Sequence, residues 1–149
     1  MKKSGAGDGA IHERMITRQS HSTVYVLDQD RAKDFYVNKL GFECRDDAKM
    51  GPFRWLTVGP KTQPDVRIIL MAIMQSPMLS EENAATLRRL VEAGALGGGV
   101  LVTDDLRRDY ELLSAKGVKF PKPPTEEAYG FAAIMVDDSG NYWSFGEEK

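Results

Sequence analysis

Residues 22–43 read S-T-V-Y-V-L-D-Q-D-R-A-K-D-F-Y-V-N-K-L-G-F-E, and residues 99–119 read G-V-L-V-T-D-D-L-R-R-D-Y-E-L-L-S-A-K-G-V-K. Both stretches run strand, acidic turn, amphipathic helix, glycine stop and strand. Asp28 and Gly41 are 13 positions apart, and so are Asp104 and Gly117. The chain is therefore a tandem of two like modules, a self-similarity that decides the fold before any single residue is weighed. Two half-sheets built on one plan can curl around a shared concavity. The repeat thus predicts a pocket and says where matching residues of the two halves should meet.

Outward from the repeat, Val24 and Val26 alternate with Thr23 and Tyr25 in a strand expected over Gln19–Val26. Asp28 and Asp30 offer side-chain oxygens to the free amides of a helix start. Over Arg31–Leu40 the apolar Ala32, Phe35, Tyr36 and Leu40 fall on one stripe, and Gly41 supplies the left-handed residue that ends the helix. Three more strands are expected at Phe42–Asp46, Phe53–Val58 and Val66–Ile73, separated by M-G-P and G-P-K-T-Q-P-D. The first module is βαβββ.

A connector follows, in which Ser80 caps a helix that carries Glu81 and Glu82 toward the positive end of its dipole and stops at Gly94. Its apolar face, Leu87, Leu90 and Val91, suits packing against the sheet edge or the pocket rim; a lid is the other role open to it. The run G-A-L-G-G-G at 94–99 leads into a strand and does not join a strand to a helix, so it reads as a hinge between modules and not as a phosphate loop. The second module repeats the plan with a strand at Val100–Thr103, a helix to Lys116 and a stop at Gly117. Strands are expected at Val118–Phe120, Phe131–Val136 and Tyr142–Phe145, with D-D-S-G-N at 137–141 turning the last hairpin.

The boundaries are then a tail at 1–15 and one domain at 16–147, made of module one at 16–75, the connector at 76–97 and module two at 98–147. The polar, glycine-rich opening of the chain, with His12 solvated in it, is expected to stay mobile or pack loosely. A length of 149 residues with 42% hydrophobic content suits one compact domain with a core. A net charge of −2, from 20 basic and 22 acidic residues, gives no basic face, so no nucleic-acid or membrane partner is expected and a small molecule is. Cys44, the only cysteine, has no partner for an internal disulfide, and no leader pattern opens the chain; the expected location is cytoplasmic. As a nucleophile Cys44 lacks an activating histidine beyond the tail His12.

From Ile16 to Glu147 the chain resembles the vicinal-oxygen-chelate superfamily, which includes glyoxalase I, extradiol dioxygenases, fosfomycin-resistance enzymes and bleomycin-resistance proteins. The resemblance rests on S-H-S-T-V-Y-V-L-D-Q-D-R-A-K-D-F-Y-V-N-K-L-G-F-E at the front, T-D-D-L-R-R-D-Y-E-L-L-S-A-K-G-V-K-F in the middle and P-T-E-E-A-Y-G-F-A-A-I-M-V-D-D-S-G-N-Y-W-S-F at the end. It implies an α+β fold in which two tandem βαβββ modules form a curved mixed sheet around a cavity. It also implies a homodimer, with the modules pairing within a chain or swapping between chains. Active members hold a divalent metal at equivalent strand positions. Here His21 falls at the metal histidine of module one, but the matching place in module two is Gly97 or Gly98. Met71 falls where several enzymes carry a glutamate, and Ser144 replaces the glutamate of the final strand. A lone imidazole opposite glycine, a thioether and a hydroxyl is not a set for a hard cation, so no cofactor is expected. If a divalent metal is held at all, His21 and Glu127 are the candidates. Glu126 and Glu127 precede Tyr129 in a Pro-rich loop that in relatives borders the cavity, where either could act as ligand or general base.

Strand alternation sorts the cavity wall, since side chains two apart share a face. With His21 inward, Thr23 and Tyr25 follow it, while Val24 and Val26 go under the helix. Met71, Ile69 and Arg67 share the inner face of their strand, as do Ser144 and Tyr142, which leaves Trp143 and Phe145 on the helix side. At F-R-W, residues 53–55, either Arg54 or the pair Phe53 and Trp55 faces inward. The candidate ligand-binding residues are His21, Thr23, Tyr25, Arg54, Trp55, Met71, Tyr129 and Ser144. That lining suits a flat or amphipathic organic molecule held by stacking and one or two hydrogen bonds, and an inward Arg54 would favour a carboxylate or phosphate. Three functions follow. The first is a metal-free protein that binds a small organic molecule, in the manner of bleomycin-resistance proteins. The second is a divalent-metal-dependent lyase, isomerase or dioxygenase with rearranged ligands, and the third a metal-free enzyme using His21, Tyr129 or Glu127 for proton transfer.

Overall fold

A computed structural model describes residues 15–147. The expectation for the tail therefore falls almost wholly outside the described residues, as does His12. Module one comprises β1 (His21–Val26), α1 (Gln29–Asp34, continued by a π-helical turn over Phe35–Lys39), β2 (Glu43–Met50), β3 (Phe53–Gly59) and β4 (Arg67–Ala72). The connector carries α2 (Glu81–Glu92), and module two comprises β5 (Gly97–Val102), α3 (Leu106–Ala115), β6 (Lys119–Glu127), β7 (Gly130–Val136) and β8 (Tyr142–Glu147). Each module folds its strands in the same order, β1-β4-β3-β2 and β5-β8-β7-β6. The first strand of each runs parallel to the last, and the remaining pairs are antiparallel.

The acidic turns cap helices as the sequence predicts. Asp28 accepts from the Arg31 amide and Asp105 from the Arg108 amide, both at 3.0 Å, and Ser80 accepts from Asn83 at 3.1 Å. Val24, Val26, Ile68, Leu70, Leu56 and Val58 of the first sheet, Ala32, Phe35 and Tyr36 of α1, Leu106 and Leu113 of α3, and Ala133, Met135, Trp143 and Phe145 of the second sheet form one core. The two modules therefore meet through their helix-bearing faces. A polar seam fixes that contact. Asp137 Oδ2 accepts from the Tyr36 hydroxyl at 2.6 Å, Trp143 donates to the same hydroxyl at 2.9 Å, Asn141 donates to the Tyr25 carbonyl at 2.8 Å, and Leu27 donates to Ser139 Oγ at 2.8 Å. The connector helix packs through Ala84, Leu87 and Val91 against Ile73, Tyr25, Leu27 and Leu96, while Leu90 is exposed.

Two sequence readings are corrected. Residues 97–99 are not a hinge but the start of β5; Gly97 and Gly98 have rings lying on them, and Gly99 has a positive φ of 133°. A Cβ on Gly98 would sit 2.3 Å from the Trp143 indole, and one on Gly97 2.8 Å from the Tyr142 ring. The Pro-rich stretch before Tyr129 is not a loop but the edge strand β6, whose pairing with β7 slips twice, between Lys119 and Lys122 and between Lys122 and Thr125. Proline lacks the amide a central strand needs, and an edge position removes that requirement.

Candidate functional site

With the helix-bearing faces buried against each other, the opposite faces of both sheets point outward from the single chain. On the first sheet the cross-strand pairs His21 with Arg67, Thr23 with Ile69 and Tyr25 with Met71 set the rows of that open face. Trp55 reaches across to lie with its ring centroid 5.6 Å from that of His21, and Phe53 follows at 6.4 Å from Trp55. His21 Nδ1 is 2.7 Å from Ser20 Oγ. His21, Thr23, Tyr25, Trp55 and Met71 thus share one surface. Arg54 does not. Its guanidinium donates to Asp47 through Nε at 2.9 Å and Nη2 at 3.0 Å, and to Asp30 at the start of α1 through Nη1 at 2.7 Å, on the helix side of the sheet. An anion-binding role for Arg54 in the cup is corrected on that ground, since its donors are engaged by two carboxylates.

A polar corner that sequence reading finds only in part lies on the same open face. Asp46 Oδ2 accepts from Thr57 Oγ1 at 2.6 Å and from Arg67 Nε at 3.2 Å. The Thr57 hydroxyl, helped by Arg67, holds the Asp46 carboxyl below its ordinary range. Asp46 turns to this face because the register of β2 on β3 shifts between Cys44 and Asp46, which flips the alternation of everything after it. Alternation already puts Arg67 on this face; for Asp46 the signal in the sequence is the doublet Asp46-Asp47, whose members then face opposite sides.

In module two, Tyr129 and Ser144 come together in a hollow of about 110 Å³ on the open face, beside Val100, Val102 and Glu147. Tyr129 is 70% exposed there and Val100 71%. The Glu147 carboxylate caps α3 through the Leu106 amide at 2.7 Å, and Glu127 is held by Lys122. The side chains at the family's metal positions do not fit a metal. His21 has Ser20, Trp55 and Arg67 for neighbours, and Gly97, Gly98, Met71 and Ser144 add no hard donor set. Among the described residues no three His, Cys, Asp or Glu side chains converge to hold an ion. No helix among them is long and apolar enough to cross a membrane.

Paired βαβββ modules with aromatic and polar residues lining open sheet faces define a protein shaped to take a small molecule. The profile of the Glyoxalase/Bleomycin resistance protein/Dioxygenase superfamily matches residues 18–145, and the chain belongs to that superfamily. The crystal structure of UcmS2 superposes with a TM-score of 0.82 at 45% identity, over 89% of this chain and 98% of that one. TnmS3, an antibiotic binding protein from Streptomyces sp. CB03234, gives 0.70 at 29% identity, over 90% and 98%. An uncharacterized protein of Shewanella frigidimarina is 34% identical over 129 residues, 83% of this chain and 87% of its own length.

Proposed function

We propose that this protein binds a flat organic molecule on the open sheet faces and leaves it chemically unchanged, without a catalytic metal. The observation that carries the reading is the row of neighbouring rings Phe53, Trp55 and His21 beside the Asp46–Arg67 pair, with no converging set of metal ligands among the described residues. Ring faces supply dispersion and quadrupole contacts to a planar ligand, and the polar corner fixes its orientation. Likeness to TnmS3 supports an antibiotic as the kind of compound bound. Because each open face is exposed in one chain, the reading includes a homodimer in which the module-two face of a partner, with Tyr129 and Ser144, closes the cup over module one. A cytoplasmic location belongs to the same reading and rests on the lone Cys44.

Titration of the full chain with bleomycin and with daunorubicin, a planar quinone, tests it by calorimetry. Saturable binding of at least one is expected, with the compound recovered unaltered by mass spectrometry. Trp55→Ala should weaken it about tenfold through loss of stacking. A converted compound, or a stoichiometric divalent ion lost on His21→Ala, would overturn the reading.

A further inference from the structure

Between the two modules lies an open cleft of about 640 Å³, bordered by the β5 residues Val100–Val102 that also border the module-two hollow, and apart from the polar corner and aromatic rings of module one. Its volume lies within the range of small-molecule sites. Phe42, Leu113, Met135 and Phe145 form its floor and are each less than a tenth exposed. At its mouth stand Lys39, the last residue of the π-helical turn of α1, and Lys116, the C-cap of α3. The two modules bring these ammonium groups to each other's helix ends. Lys116 Nζ donates to the Asn38 carbonyl at 3.3 Å, and a Cβ on Gly117 would lie 3.8 Å from Lys39 Nζ.

Neither lysine has a carboxylate within ion-pair distance among the described residues. The one acid in the lining, Asp109, is already engaged by the Thr103 hydroxyl and by Arg108 Nε at 3.0 Å. The cleft thus combines an apolar floor with two lysines that have no carboxylate partner among the described residues, Lys39 lying over the Phe35 ring and Lys116 on the Asn38 carbonyl. We propose that it is a second ligand site, for an amphipathic anion such as a medium-chain carboxylate. The carboxylate accepts charge-assisted hydrogen bonds from Lys39 and Lys116, and the chain lies over Phe42, Leu113, Met135 and Phe145. A neutral molecule of the same shape gains only the floor. Because the walls come from both modules, an occupant also braces one against the other.

The test is amide-resolved NMR of the full chain titrated with decanoate and, separately, with decanol. Decanoate is expected to shift the amides of Gly41, Thr103, Met135 and Gly117, and to bind more tightly than decanol. The double variant Lys39→Glu, Lys116→Glu should weaken decanoate about tenfold or more and leave decanol unchanged. The pair Lys39→Arg, Lys116→Arg should keep decanoate binding, so a failure of the glutamate pair to fold leaves the arginine pair and the shift map to decide. Trp55→Ala should have no effect, which separates this site from the open-face cup. Shifts confined to residues around Trp55 and Tyr25, equal affinity for decanoate and decanol, or no saturable shift would overturn the proposal.

Discussion

The Tyr36 hydroxyl is fully buried between an acceptor and a donor, Asp137 Oδ2 at 2.6 Å and Trp143 Nε1 at 2.9 Å. Burial, reinforced by the Asp137 charge, pushes its pKa well above the ordinary phenol value, so it stays a donor at any physiological pH. Tyr36→Phe removes both bonds and leaves the buried Trp143 indole N–H without its acceptor, while Asp137 loses one of its five donors and keeps Asn141 Nδ2 on Oδ2 at 3.0 Å. A loss of about 2 kcal/mol in urea-unfolding free energy is expected. Asp138, the next residue in the same turn, has the opposite fault. Neither of its oxygens has a hydrogen-bond partner, and Arg31 Nε approaches only to 3.9 Å. Burial, then the neighbouring Asp137 charge, raises its pKa from 3.8 to about 6. The folded state therefore holds this proton more tightly than the unfolded chain. The resulting penalty is absent below about pH 4, grows as pH rises and is complete above about pH 6. Asp138→Asn should therefore raise stability at pH 7, by about 1 kcal/mol once solvent screening is allowed for, and leave it unchanged near pH 3.5. A gain of equal size at both pH values would refute the titration account. None of this is legible in D-D-S-G-N, which announces a turn and not the module whose tyrosine it receives.

At the scale of elements, alternation and capping depend on neighbours a few residues away, so β1, the two acidic caps and the glycine stops read directly from the sequence. The side chains of Val24 and Val26 are buried and those opposite them are not, as a period of two requires. The orientation of F-R-W was open because Arg54 and Trp55 are both plausible inward residues. It is decided by Asp47, whose side depends on a bulge that no composition marks. The final turn of α1 also widens to a π turn, with the Leu40 amide donating to the Phe35 carbonyl at 3.1 Å. Residues 97–99 misread for a similar reason. Gly97 and Gly98 answer to rings 45 positions away in the chain, which local rules score only as flexibility. Gly98→Ala should destabilise the protein by about 1–3 kcal/mol in chemical unfolding, since a methyl group must displace the packed Trp143 indole. Gly51→Ala, in open space, costs only the strain of its positive φ of 63° and serves as the control.

For the whole molecule, the repeat predicts two matched sheets, and they form. How the sheets are set against each other depends on side chains that the two modules do not share. Counted from the capping aspartates Asp28 and Asp105, Tyr36 of α1 matches Leu113 of α3. Leucine carries no hydroxyl, so only module one has a helix residue that crosses to the other module as Tyr36 does to Asp137 and Trp143. That asymmetry buries the helix-bearing faces and leaves Val100 at 71% and Val102 at 56% exposure on the other side of β5. β5 is also a sheet edge, with its backbone unpaired on one flank. An apolar edge strand of this kind is an aggregation hazard unless something covers it. The proposed dimer supplies the cover, and a charge at its centre tests the dimer without touching the core. Val102→Glu should convert a dimer into a monomer in sedimentation at micromolar concentration while leaving thermal unfolding of the monomer within a few degrees of its parent, because the site is exposed in one chain. If the cup needs the partner's Tyr129 and Ser144, the same substitution should abolish ligand binding although it lies outside the Trp55 face. A monomeric parent, or a monomeric variant that binds as tightly as the dimer, would show that one open face suffices.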